Sequence, residues 1–105
     1  MAGNTRKQQI EEMLAEEPND PELRYALAME YVSTGDDASA VRCFEELSNR
    51  APDYVPAYFH RARALIRLDR FEEARPVVEK GILTARKKGD HHAADELQGL
   101  LYTLE

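Results

Sequence analysis

Glycine and proline are scarce in this chain, five of each among 105 residues, and Ala, Leu, Glu and Arg dominate instead. Those four side chains lose little rotamer freedom in a helix, so the composition selects an all-α class over a sheet protein. Cysteine occurs once, at Cys43, which excludes an internal disulfide and fits a reducing compartment. No apolar run approaches the roughly 20 residues of a membrane span, and the N-terminal stretch is polar without a signal-peptide core. The chain is therefore expected to be soluble and cytoplasmic, with no membrane partner. An excess of positive charge is missing too: 14 basic residues stand against 20 acidic ones, a net of -6. Without a cationic field to draw in phosphate backbones, no nucleic-acid partner is expected.

The signatures of catalysis are equally thin. There is no Gly-rich phosphate loop, and no Ser or Cys stands with a recognisable base and orienting group, so no catalytic residue, no cofactor and no enzymatic activity are expected. Cys43 has no adjacent cationic cluster to lower its pKa and reads as a buried or half-buried core thiol. His91 with Asp95 and His92 with Glu96 form two i,i+4 pairs. The two histidines, however, point about 100° apart on a helix, and only His60 remains to help them, so no metal site is expected. Adjacent carboxylates at Glu11-Glu12, Glu16-Glu17, Glu45-Glu46 and Glu72-Glu73 diverge on a helix and read as charged outer faces.

What is present is a period. At an offset of 34 residues Pro18 pairs with Pro52, Tyr25 with Phe59, Ala28 with Ala62, Val32 with Ile66, Ala40 with Ala74 and Glu45 with Glu79. A helix hairpin is duplicated, with half a unit in front of it. Apolar spacing and stop signals divide the chain into six helices. Thr5 and Gln8 form a capping box for the first, which ends at Glu17-Pro18. Asp20-Pro21 starts the second, and Gly35 stops it. Asp36 or Asp37 opens a third that reaches about Arg50, and Asp53 begins a fourth that reaches about Leu68. Asp69, with Glu72 as a box-like partner, is expected to cap the fifth, which carries Pro76 and runs to about Lys88. Asp90 caps a sixth with Ala93, Ala94, Leu97, Leu100, Leu101 and Leu104 on one face. The small residues recur because stacked hairpins need them wherever two helices cross closely.

These residues resemble the tetratricopeptide repeat family, whose unit of about 34 residues has the spacing W-x2-L-G-x2-Y, then A-x3-F, then P. The first unit offers Leu27-Ala28 and Tyr31, Ala40 and Phe44, and Pro52, with Arg24 in the usual tryptophan position. The second offers Tyr58 in that aromatic slot, Ala62 and Leu65, and Ala74 and Val78, with Arg61 for the usual leucine and Arg86 for the closing proline. The resemblance implies an all-α, right-handed solenoid of antiparallel hairpins: a half-repeat helix at 5–17, repeats at 21–54 and 55–88, and a capping helix at 90–104.

In that family the first helix of each hairpin lines a concave face that holds peptides or partner helices. Carried over, the binding face is Tyr25, Met29 and Val32 from one unit and Phe59, His60, Arg63, Ile66 and Arg67 from the next. The i, i+4, i+7 spacing of Tyr25, Met29 and Val32, and of Phe59, Arg63 and Ile66, sets these faces apart from the Leu27/Tyr31 and Ala62/Leu65 stripes. The same residues also suit plain packing between repeats. Met re-packs and Arg forks onto carboxylates, so the expected partner is a protein or peptide carrying acidic residues. Members that grip the acidic C-termini of heat-shock chaperones use a clamp of lysines, asparagines and an arginine. Tyr25, Met29, Phe59 and His60 occupy those places here, so that role is not implied. Charge is also uneven: from Gln8 to Glu30 seven acidic residues oppose one arginine, whereas from Pro56 to Arg70 four arginines oppose Asp69. An acidic front docking on a basic centre would make a homo-oligomer, the alternative to a peptide-binding scaffold.

Overall fold

The structure, a computed structural model, describes residues 5–105. Six helices follow one another: α1 Arg6–Glu16, α2 Pro21–Ser33, α3 Asp37–Arg50, α4 Val55–Arg67, α5 Phe71–Lys87 and α6 His91–Thr103, with no strand among the described residues. Each helix packs on its neighbours in sequence, and α6 also reaches back to α4. The result is an all-α helical solenoid, elongated at 50 × 29 × 20 Å.

Local chemistry starts most of these helices. The Thr5 hydroxyl accepts the Gln8 N–H at 3.1 Å while Gln8 Oε1 accepts the Thr5 N–H at 2.8 Å, the reciprocal pair that satisfies two orphan donors. Asp20 caps α2 ahead of Pro21, Asp36 caps α3 through the Ser39 N–H, and Asp90 caps α6 through the Ala93 N–H. Gly35 and Gly89 follow the ends of α2 and α5 at φ +81° and +74°, a left-handed turn that costs glycine nothing.

Two helix starts differ from expectation. Neither Asp53 nor Asp69 is a cap. α4 begins after Tyr54, whose side chain makes no cap bond, and Pro56 lies in the first turn, where it removes one of the donors that a cap would have served. Asp69 adopts φ +60° and closes α4 instead, in a turn where the Arg70 N–H reaches Leu65 O at 2.9 Å. It occupies the position that Gly35 holds one period earlier. Arg70 is then the residue before α5, and its guanidinium binds Glu73 through two bonds of 2.7 Å. Pro76 does not interrupt α5.

The core forms two clusters. The front one gathers Ala28, Ala40, Phe44, Leu47 and Ala57; the rear one is built on Tyr58, Ala62, Leu65, Val78, Ile82 and Leu97. Ala28, Ala62, Ala40 and Ala74 are all fully buried, as the recurrence of small residues requires. Tyr58 is enclosed, and its hydroxyl donates to Pro52 O at 2.6 Å. A residue with no role in the repeat pattern, Gly81, is what lets α5 settle here: a Cβ at that position would lie 2.8 Å from Tyr58 Cβ and 3.1 Å from a Leu97 methyl. The front is looser. Ile10 is the one buried residue of α1, Met13 is 46% exposed, and Leu27 and Tyr31 are half-buried, although Leu65, one period after Tyr31, is buried.

Candidate functional site

The first helices of the hairpins, α2 and α4, stand beside α6 and enclose an open groove of about 370 Å³. Tyr25 of α2 and Val55, Pro56, Phe59 and His60 of α4 supply its floor, and Asp90, Ala93, Glu96 and Leu97 of α6 supply the far wall. Because Tyr25 and Phe59 are one period apart, the repeat places one aromatic ring on each helix at the same level.

His60 organises the floor. Its ring stacks on Phe44 with centroids 5.8 Å apart and planes at 19°, and it meets Phe59 edge-on at 5.3 Å. Tyr25 Oη lies 3.1 Å from His60 Nε2, and the Tyr25 ring tilts against Tyr54 at 5.7 Å. Burial, and then the nearby Arg63 and Arg67 guanidiniums, lower the imidazole pKa from 6.5, with Glu96 opposing. The neutral ring can accept the Tyr25 O–H at Nε2. Burial raises the Tyr25 pKa, which keeps that phenol a donor.

Of the sequence-derived binding residues, the groove brings Tyr25, Phe59 and His60 together. Arg63 stands at its edge with the guanidinium 5.6 Å from the Phe59 ring centroid. Met29 and Val32 are half-buried against the front cluster and Ile66 against the rear one, so much of their apolar surface is spent on packing between repeats. Arg67 points elsewhere. It grips Asp37 through Nε and Nη2 at 2.9 to 3.1 Å, tying the end of α4 to the start of α3.

Of the two arginines in the expected binding face, Arg63 and Arg67, only Arg63 is therefore left free. Arg61 faces Glu45 at 3.5 Å and Arg70 holds Glu73, so the four arginines of the central segment are mostly committed within the fold. Arg63 has no carboxylate partner among the described residues. Sequence reading missed the α6 wall, although the signal was there: one period maps Asp90, Ala93 and Leu97 onto Pro56, Phe59 and Arg63.

A second, shallower groove of about 200 Å³ lies between α2 and α3, lined by Leu27, Tyr31 and Cys43 with Arg24, Arg42 and Glu46. Half-buried Cys43 has its thiol pKa raised by burial, the opposite of an activated nucleophile. No group of three or more His, Cys, Asp and Glu residues is placed to hold a metal ion among the described residues, and none of the described helices is long and apolar enough to cross a membrane.

Among curated proteins none matches the chain significantly. The solution structure of a tetratricopeptide repeat domain protein from Salinibacter ruber is 39% identical, with a TM-score of 0.79 over 84% of this chain and 89% of that one. A crystal structure of a tetratricopeptide repeat domain protein from the same organism gives 38% identity and 0.76, over 81% and 96%. A protein from Bordetella parapertussis, 24% identical, shares the fold at 0.83 over 97% and 89%. Profiles described as tetratricopeptide repeat match residues 7–60 and 55–87. With one profile covering more than half of its length, and with the Salinibacter ruber domain alike in both sequence and fold, the chain belongs to the tetratricopeptide repeat family.

Proposed function

We propose that this chain is a non-enzymatic scaffold module that holds a protein or peptide segment in the groove between α2, α4 and α6. Tetratricopeptide repeats are protein-interaction scaffolds in general. The observation that carries the reading is the groove itself: about 370 Å³, with aromatic rings on adjacent helices and an uncommitted arginine at its edge. Hairpins 21–54 and 55–88 form the working units in this reading, with 5–17 as the half unit and 90–104 as the cap. Tyr25, Phe59 and His60 give area that salt does not screen. Arg63 binds a carboxylate, the part of Met29, Val32 and Ile66 that packing leaves exposed extends the surface along the helices, and Arg67 braces α4 against α3 through Asp37. A cytoplasmic setting suits the unpaired Cys43.

The test uses a partner captured by the intact protein, with its affinity measured at low and high salt. Phe59→Ala should weaken binding at every ionic strength. Arg63→Glu should remove the salt-dependent part. A partner indifferent to both but sensitive to changes on the outer faces of α5 or α6 would move the working surface out of the groove. Self-association through an acidic front and basic centre is the alternative. The internal pairing of Arg61, Arg67 and Arg70 leaves that contact little free positive charge, and light scattering at two concentrations checks it.

A further inference from the structure

We infer that the groove selects a partner segment that carries both signs of charge around one apolar anchor: a basic residue facing α6 and an acidic residue facing Arg63. This rests on the reading that the groove is the binding surface, and it goes beyond the acidic ligand expected from the sequence. Its source is the wall that α6 adds.

Asp90 and Glu96 both line the groove, on the side away from α2. Asp90 spends one oxygen on the Ala93 N–H at 3.1 Å, which leaves its charge and its second oxygen available. Glu96 is half exposed, and its carboxylate lies 3.6 Å from Nε2 of His92, a side chain 86% exposed to solvent. Neither carboxylate is held by an arginine or lysine among the described residues.

On the floor helix the sign is opposite. Arg63 covers the Phe59 ring and is exposed and unpaired. A purely acidic segment seated on Phe59 and Tyr25 would meet Arg63 favourably but bring its other carboxylates against Asp90 and Glu96. A purely basic one would suffer the reverse at Arg63. Like charges brought together across an interface reject a partner more strongly than rim attractions recruit one, so the arrangement works mainly as a filter. A segment with an aromatic or aliphatic anchor and one residue of each sign satisfies all three features, and no net cationic or anionic character is required of it.

The experiment is selection of a random peptide library displayed on phage against the full chain, followed by anisotropy titrations of the enriched peptides after synthesis. Enriched sequences are expected to combine an apolar anchor with both a Lys or Arg and an Asp or Glu. Glu96→Lys should weaken their binding by about threefold to tenfold, the range of a partly exposed charge reversal, and reversing the peptide's basic residue to Glu should recover it. Because Phe59 packs partly against the core, the groove itself is checked with Arg63→Glu as well as Phe59→Ala, the former being an exposed position. Peptides that need Phe59 and Arg63 but lack a basic residue, or that ignore Glu96→Lys, overturn the two-sign inference and leave the groove reading standing. Peptides that ignore Phe59→Ala and Arg63→Glu, or the absence of any enrichment, overturn the groove reading and the inference with it.

Discussion

Tyr25 and His60, 35 residues apart, meet at 3.1 Å through the phenol oxygen and Nε2, and this contact joins one helix hairpin to the next beneath the groove. A bare Nε2 accepts the Tyr25 O–H and a protonated one donates to the phenol oxygen, so it is burial among Phe44, Phe59 and Tyr25, more than this bond, that favours the neutral imidazole. The stability of the module is therefore expected to depend on the protonation of one ring.

The folded-state pKa of His60 is lowered from 6.5, so the unfolded chain takes up its proton first as the pH falls. The contribution is present above about pH 6.5 and is lost as the pH drops through the folded value. Melting temperature should fall between about pH 7 and pH 5, and His60→Gln should flatten that dependence. Asp36, Glu46 and Glu73 also have lowered pKa values, but they titrate in the carboxylate range below this window. An unchanged slope in His60→Gln would remove His60 as its source.

Two helical glycines should respond in opposite directions. At Gly81 an added Cβ meets Tyr58 Cβ at 2.8 Å, a neighbour close to the backbone that cannot swing away. Gly81→Ala should therefore cost roughly 1–3 kcal/mol through overpacking, despite the better helix propensity of alanine. Gly99 has nothing within 4 Å, so Gly99→Ala should gain up to about 1 kcal/mol. Urea titrations of the two variants decide the point, and equal shifts would contradict the packing assigned to α5.

Ala62 is fully buried where α4 crosses its neighbours, while Ala38 is exposed. Ala62→Leu should destabilise by roughly 1–3 kcal/mol and Ala38→Leu by less than about 0.5 kcal/mol. Similar thermal melts for the two would mean that the stacking register is wrong.

The Asp37–Arg67 pair ties consecutive units together with a forked contact, its side chains 15% and 39% exposed. A double-mutant cycle on Asp37→Ala and Arg67→Ala should return a coupling of about 0.5–1 kcal/mol, reduced by added salt. A coupling indistinguishable from zero would leave Arg67 free to serve the groove.

Helix number, hairpin period and most helix starts were legible in the sequence because the interactions that set them are local or periodic. A cap closes within three residues, as Thr5 with Gln8 and Asp90 with Ala93 show, so a short window of residues contains the whole argument. Likewise, crossings at Ala28, Ala62, Ala40 and Ala74 repeat because the same backbone approach repeats. Only the tertiary structure decided which charges are free. Arg67 finds Asp37 30 residues away and Arg61 finds Glu45 16 away, separations at which partners depend on how helices cross rather than on spacing along one of them. The same holds for Asp69, drawn into a left-handed turn by the end of α4, and for the α6 wall, whose Asp90 and Glu96 acquire a role only where that helix packs beside α4. Sequence placed the aromatic floor of the groove. Packing set its charge, by burying His60, pairing Arg67 and bringing two carboxylates of α6 to the groove wall.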